Sequence, residues 1–131
     1  MRRSTTAVPT RSQPMPRRQK LLTADLRKTL PTMGASESAP DVDAVVLHAK
    51  FFSPYGNGRM TWWVAEFDGD DTFFGVVDLG MGGPEWGYFS LSELESVDVP
   101  GFRGLQAVER DVSFRPAAWV EVHALRYGRS R

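Results

Sequence analysis

Runs of apolar, β-branched and aromatic residues alternate with short polar turns through the middle of the chain and predict β-strands. The predicted strands span 45–52, 60–67, 72–79 and 86–89. The sequence DGDD at 68–71 separates two of these runs and predicts a tight hairpin turn, because glycine tolerates positive φ and aspartate can bond its own backbone. A loop is expected at 100–105, followed by a last short strand or extended segment at 111–114.

The hairpin formed by the second and third runs has definite faces if Gly69 and Asp70 are the central pair of its turn. One face then carries Trp63, Ala65, Phe74 and Val76. The other carries Trp62, Val64, Glu66, Phe73 and Val77. Both faces are largely apolar, which predicts a central hairpin that is covered on both sides. Glu66 is the exception, and a carboxylate there should have a raised pKa or a cationic partner such as Lys50, Arg59 or Arg110.

Short helices are predicted on either side of these strands. Leucines spaced four residues apart predict a helix over 21–30, with Thr23 as its N-cap. A loop is expected at 32–43, and a capping box at the start of 90–97 predicts a second helix. The spacing of the apolar residues in 117–125 predicts a C-terminal helix. The fold class is therefore α+β, with a small, mainly antiparallel sheet of about four to five strands and short flanking helices.

Charge is strongly segregated, although the formal net charge is zero. Residues 1–20 carry six basic residues and no acid, whereas residues 21–125 carry seven basic residues against sixteen acids, a net charge of −9. Residues 126–131 add three arginines. An acidic domain between two basic ends is typical of proteins with interaction tails.

Three segments follow from these patterns. Residues 1–20 have almost no apolar side chains and predict a disordered basic tail. Residues 21–116 form a single α+β domain, and residues 117–131 form a C-terminal helix with a basic tail. Translation from Met15 is an alternative that would remove most of the N-terminal tail.

Composition excludes several classes of site. The chain has no cysteine, which excludes disulfides, thiolate zinc sites and a cysteine nucleophile. It has no apolar run near the roughly 20 residues that a membrane span needs. We therefore expect a cytoplasmic protein with no membrane association and no cofactor.

Five sequence motifs resemble those of the DUF2958 family, a group of small bacterial and phage proteins of unassigned activity. The motifs are KLLT, KFFSP, WWVAEFDGDDTFFGVVD, WGYFSLSELESV and ERDVSFRP, and the likeness as a whole covers residues 19–116. The resemblance implies a setting on plasmids, phages and other mobile elements, often beside antirestriction or DNA-processing genes. It implies no catalytic residues.

The densest charge within the predicted domain is an acidic cluster at the hairpin. Its members are Glu66, Asp68, Asp70 and Asp71. A calcium loop needs a longer D-x-[DN]-x-[DN]-G pattern with a closing glutamate, so no metal site is predicted. The favoured interpretation is a non-enzymatic interaction domain of a mobile element, whose acidic hairpin faces a protein partner.

Two other functions are compatible with the sequence. Direct nucleic-acid binding would use loop aromatics and basic tails; the candidates are Tyr55, Arg59, Arg17, Arg18 and Lys20. An enzyme would be centred on Glu66 with Asp68 or His48, which must meet in a concave pocket. No nucleophile elbow or phosphate loop supports a particular reaction.

Overall fold

The computed structural model describes residues 19–55 and 59–128. The helices are α1 (Ala24–Thr29), α2 (Leu91–Ser96) and α3 (Trp119–Tyr127), with 3-10 helices at Ala35–Ser38 and Val42–Ala44. The strands are β1 (Val46–Leu47), β2 (Ala49–Phe52), β3 (Thr61–Phe67), β4 (Thr72–Asp78), β5 (Glu85–Ser90), β6 (Asp98–Val99), β7 (Phe102–Gln106), β8 (Glu109–Arg110) and β9 (Ala117–Ala118). Most of the predicted basic tail and the last two arginines lie outside the described residues.

The main sheet has five strands in the order β5-β4-β3-β2-β8, and every neighbouring pair is antiparallel. Two small two-stranded sheets pair β1 with β9 and β6 with β7. Short helices accompany the sheet, which confirms the predicted α+β class. Among the described residues, no helix is long and apolar enough to cross a membrane.

Both faces of the central hairpin are covered, as the sequence predicts. Trp62 belongs to one apolar cluster, which includes leucines from α2 and from the segment around α1. Trp63 belongs to a second cluster, in which Trp119 and Val122 of α3 pack against the sheet. The two adjacent tryptophans therefore anchor opposite cores, because successive side chains of a strand point to opposite faces. Trp119 and Val122 therefore place α3 against the face of the sheet that carries Trp63.

The predicted faces of the hairpin are correct for Trp62, Trp63 and Val64 and wrong for Glu66. Val64 pairs with Gly75, as expected, but Glu66 pairs with Phe74 because Ala65 forms a β-bulge. The bulge adds one residue to β3 and moves Glu66 to the face that carries Trp63. The turn is correspondingly one residue longer than expected, since the amide of Asp68 donates to the carbonyl of Thr72.

Three other boundaries differ from the sequence prediction. The expected strand 45–52 is divided at His48 into β1 and β2. The expected loop at 100–105 contains most of a hairpin, in which Gly101 adopts a φ of 82° at the turn. The expected extended segment at 111–114 is a turn, since the carboxylate of Asp111 accepts hydrogen bonds from the backbone and hydroxyl of Ser113. The last strand of the sheet, β8, precedes it.

Candidate functional site

Glu66 is buried beneath the 3-10 helix at Ala35–Ser38, with only 3% of its surface exposed. One carboxylate oxygen accepts a hydrogen bond from the amide of Gly34 at 2.8 Å. The other accepts from the amide of Ser36 at 2.8 Å and from the Ser36 hydroxyl. These donors fix the loop after α1 onto the bulged part of β3.

This environment corrects the expectation for Glu66. Burial raises the pKa of its carboxyl group, but the hydrogen bonds from Ser36 and Gly34 outweigh burial and lower the pKa. The partners are backbone amides and a hydroxyl instead of the expected cations. A carboxylate with both oxygens engaged and a lowered pKa is suited to holding a loop and poorly suited to donating a proton.

The members of the predicted enzyme centre are not linked by contacts between described residues. Asp68 binds its own turn, and the described contacts do not join Glu66 to His48. His48, Ser36 and Ala65 line the same cavity of about 260 Å³, and burial lowers the pKa of His48. Within residues 19–55 and 59–128, no group of three or more histidines, aspartates and glutamates could hold a metal ion.

The hairpin aspartates have local structural roles. One oxygen of Asp68 accepts hydrogen bonds from the amides of Asp70, Asp71 and Thr72 at 2.8–3.1 Å. Those bonds lower the pKa of Asp68, so the group stays charged at neutral pH. Asp70 is exposed at the tip of the turn. Because Glu66 is buried, it does not share an exposed surface with these three aspartates.

Asp71 links the hairpin turn to the end of β5 and the start of α2. Its carboxylate accepts from the Ser90 hydroxyl at 2.6 Å and from the Ser92 amide at 2.8 Å. Bonds from the hydroxyls of Ser90 and Ser92 and from the Ser92 amide lower its pKa. The predicted N-cap of α2 is confirmed, since the Ser90 hydroxyl also accepts from the amide of Glu93 at 3.3 Å.

The described nucleic-acid candidates lie in different segments of the fold. Tyr55 is 37% exposed in the connection between β2 and β3. The carbonyl of Arg59 accepts a hydrogen bond from Arg126 at the end of α3. Lys20 lies near β8, where its carbonyl accepts a hydrogen bond from the side chain of Arg110. Arg17 and Arg18 lie outside the described residues.

One edge of the main sheet is short and covered. The edge strand β8 has two residues, and the side chain of Gln19 lies along it. The amide of Arg110 donates to the Gln19 Oε1 atom at 2.5 Å, and the Gln19 Nε2 atom donates to the carbonyl of Arg110 at 3.4 Å. The side-chain amide of Gln19 therefore occupies the backbone groups that another strand would use.

The other edge is long and open. The edge strand β5 has six residues, all paired in regular register with β4. Natural proteins usually protect such an edge with charged side chains, especially lysine, or with a proline, a bulge or a covering segment. Glu85 is the one charged residue of Glu85–Ser90, and the strand has no lysine, proline or bulge. Outside the pairing with β4, no backbone hydrogen bond joins residues 85–89 to another described residue.

A groove with aromatic walls lies beside this open edge. Phe74 stacks on Trp86 with ring centroids 5.7 Å apart, and Tyr88 packs 5.0 Å from Phe74 while remaining 69% exposed. Phe74 and Trp86 line a hollow of about 320 Å³, whose border carries Glu37 and Asp41. An exposed strand edge, aromatic side chains and acidic groups therefore lie together.

Sequence reasoning missed this surface, although part of its signal was present. Trp86, Gly87 and Tyr88 place two aromatic side chains on one face of a strand, on either side of a residue with no side chain. What the sequence does not contain is the strand order. Only the fold shows that β5 is the unprotected edge.

Comparisons with known proteins identify a family to which no activity is assigned. No curated protein matches the chain, and no solved structure matches it. The model of one family, described as "Protein of unknown function (DUF2958)", matches residues 21–127. The matched segment runs from the leucines before α1 to the last residue of α3. It therefore includes Trp119, which lies beyond the last of the five sequence motifs. The chain therefore belongs to the DUF2958 family.

Proposed function

We propose that this protein is a non-enzymatic interaction domain that binds an extended, basic segment of a protein partner by adding it as a strand to β5. The observation that carries this proposal is the contrast between the two sheet edges. Gln19 covers the edge at β8, whereas the backbone of residues 85–89 in β5 has no described partner on its outer side. Strand addition uses such free backbone groups for affinity and neighbouring pockets for specificity.

The groove beside β5 supplies a pocket of that kind. An extended peptide places alternate side chains on the same face, about 6.6 Å apart. One such side chain can enter the hollow beside Phe74 and Trp86, and the next can pack on Tyr88. Aromatic residues contribute much of the binding energy at protein interfaces because they bury large areas with few rotatable bonds.

Charge favours a basic partner. Glu37 and Asp41 border the groove, Glu85 begins the strand, and Asp71 lies at its other end. The domain between residues 21 and 125 has a net charge of −9. A second copy of the chain would bring the same acids against each other, so a different protein with a lysine- or arginine-rich segment is the better occupant.

The setting implied by the family resemblance accords with such a partner. Proteins that process DNA commonly carry basic segments for phosphate contact, and an acidic domain can bind those segments. We therefore place the protein in the cytoplasm, as an accessory factor of a mobile element that acts on a DNA-processing or antirestriction protein. The acids of the hairpin turn would extend the same negative surface beyond the end of β5.

Fluorescence anisotropy with labelled peptides tests this function. One peptide alternates lysine with valine, and its counterpart alternates glutamate with valine. We expect saturable binding of the basic peptide to the full chain and no binding of the acidic one. In nuclear magnetic resonance spectra, the largest shifts should fall on β5. No saturable binding, or shifts confined to other strands, would refute strand addition at this edge.

Charge-neutralising variants locate the surface. The double variant Glu37→Gln, Asp41→Asn removes two charges, while asparagine still caps the 3-10 helix whose Ala44 amide bonds to Asp41 at 3.1 Å. We expect it to weaken binding about tenfold, whereas Glu121→Gln on the exposed side of α3 should have little effect.

Two further measurements distinguish the alternatives. A loss of binding in Asp70→Asn, with the groove double variant unaffected, would assign the partner surface to the hairpin turn and refute the groove. Binding of labelled DNA that falls steeply with salt, and that a chain beginning at Met15 lacks, would favour direct nucleic-acid binding that needs Arg2, Arg3 and Arg11, because that chain keeps Arg17, Arg18 and Lys20.

A further inference from the structure

A second concave surface lies between the main sheet, α3 and the segment 111–117. This cleft has a volume of about 580 Å³, within the range of roughly 300–1,000 Å³ typical of small-molecule sites. Its floor is Trp63, which is only 2% exposed, and its apolar walls include Phe114, Val122 and Leu125. Leu125 is 90% exposed at the mouth, so a ligand there would cover apolar surface that the fold leaves in water.

The charged groups that line the cleft are mostly cationic. Lys50, Arg115 and Arg126 line it, together with a single carboxylate, Asp111. The Lys50 ammonium lies 3.4 Å from the Asp111 carboxylate, so the two opposite charges compensate each other.

The two arginines of the cleft differ in their partners. The Arg126 guanidinium lies 5.3 Å from the centre of the Trp63 ring system and 3.6 Å from Asp78. Arg115 is exposed, and no residue that the structure describes pairs with it. One cation at the mouth of an apolar cleft is therefore available to a ligand.

We propose that this cleft binds a small amphipathic carboxylate. Its apolar body would lie against Trp63 and Leu125, and its carboxylate would pair with Arg115. A singly charged head matches the one available cation, and the planar guanidinium suits a carboxylate because it can donate two parallel hydrogen bonds. This site is separate from the β5 edge and does not depend on the proposed protein partner.

The ligand body can be an alkyl chain or an aromatic ring, and a set of probes separates the two. Full-length protein labelled with ¹⁵N is titrated with octanoate, phenylpropanoate, octanol and acetate. The chemical shifts of its backbone amides are followed by nuclear magnetic resonance. Octanoate tests an alkyl body and phenylpropanoate tests a ring, while octanol lacks the charge and acetate lacks the apolar body. We expect saturable shifts around Phe114 and Leu125 with at least one of the first two probes and much weaker effects with the last two.

Two surface substitutions test the assigned roles without disturbing the core. Arg115→Gln removes the free cation and should weaken carboxylate binding about tenfold, while Arg103→Gln, on β7 outside the cleft, should leave it unchanged. Leu125→Ala should weaken the binding of octanol and octanoate alike. No saturable binding, equal affinity for octanol and octanoate, or an unchanged affinity in Arg115→Gln would overturn the proposal.

Discussion

The hydroxyl of Tyr127 donates a hydrogen bond to the carboxylate of Asp78, joining the last turn of α3 to the end of β4 across 49 residues of sequence. The same carboxylate accepts from the amide of Gly80 at 2.8 Å and lies 3.6 Å from Arg126. Burial raises the pKa of Asp78, but the bonds from Tyr127 and Gly80 and the arginine charge outweigh burial and lower it. This buried cluster holds α3 against the sheet.

Tyr127→Phe should destabilise the protein by about 1–3 kcal/mol at neutral pH, because a buried carboxylate loses its hydroxyl donor while the ring still packs. The measurement is urea unfolding at equilibrium. Tyr88→Phe is a matched control, since Tyr88 is 69% exposed and its hydroxyl has no described partner. Equal losses in the two variants would show that the Tyr127 hydroxyl contributes nothing specific.

Glu66→Gln should cost about 1–3 kcal/mol, because an amide nitrogen cannot accept the hydrogen bonds that Gly34 and Ser36 donate. The folded state lowers the pKa of Glu66, so its contribution is present above the unfolded value of 4.5 and is lost as pH falls below that value. The stability difference between wild type and variant should therefore shrink in acid.

Chemical denaturation at neutral pH and at about pH 3 measures both effects of Glu66→Gln. Glu93→Gln, on the exposed side of α2, is the control and should change stability by only a few tenths of a kcal/mol. A difference between wild type and Glu66→Gln that does not change with pH would contradict the lowered pKa of Glu66.

The burial of His48 predicts a second effect of pH on stability, at higher pH than the effect of Glu66. Burial lowers its pKa from 6.5, so the unfolded chain takes up a proton at a pH where the folded protein does not. Wild-type stability should therefore decline as pH falls below 6.5. In His48→Gln, this part of the decline should disappear, while the steeper loss below pH 4.5 from carboxylates such as Glu66 remains. Identical pH profiles above pH 5 would exclude His48 as the source.

The parts of the fold that sequence predicts well depend on local patterns. Thr23 caps α1 as expected, since its hydroxyl accepts from the amide of Leu26 at 3.1 Å. The pairing of Thr61–Val64 with β4 follows from hydrophobic alternation. The bulge at Ala65 does not, because it depends on how Glu66 fits beneath a loop that is distant in sequence. Pro100-Gly101 carried a turn signal, but the short strands on either side were too weak to be recognised.

The candidate sites show the same division between local and tertiary information. The acids of the hairpin turn were found because they cluster in sequence. The cleft above Trp63 was missed because its walls come from β2, β3, a turn and α3, which only the fold brings together. Asp71 was identified as an acid, but its bonds to Ser90 and Ser92 connect residues 19 and 21 positions away.

Gly75 and Gly87 face each other across β4 and β5, yet only one of them has no room for a side chain. A Cβ atom at Gly75 would lie 1.8 Å from the carbonyl oxygen of Trp63, whereas one at Gly87 would meet nothing within 4 Å. Gly75→Ala must therefore push β4 away from β3 beside the bulge at Ala65. We expect this change to cost more than about 4 kcal/mol and to abolish cooperative unfolding or soluble expression.

Gly87→Ala is the matched control for this prediction. It should leave stability unchanged or raise it by up to about 1 kcal/mol, because alanine restricts the unfolded chain and finds space in the folded one. Thermal unfolding of both variants measures the contrast. Comparable stability of the two proteins would mean that β3 and β4 can separate at Gly75 at little cost, and that the close approach of the two strands does not constrain the sheet.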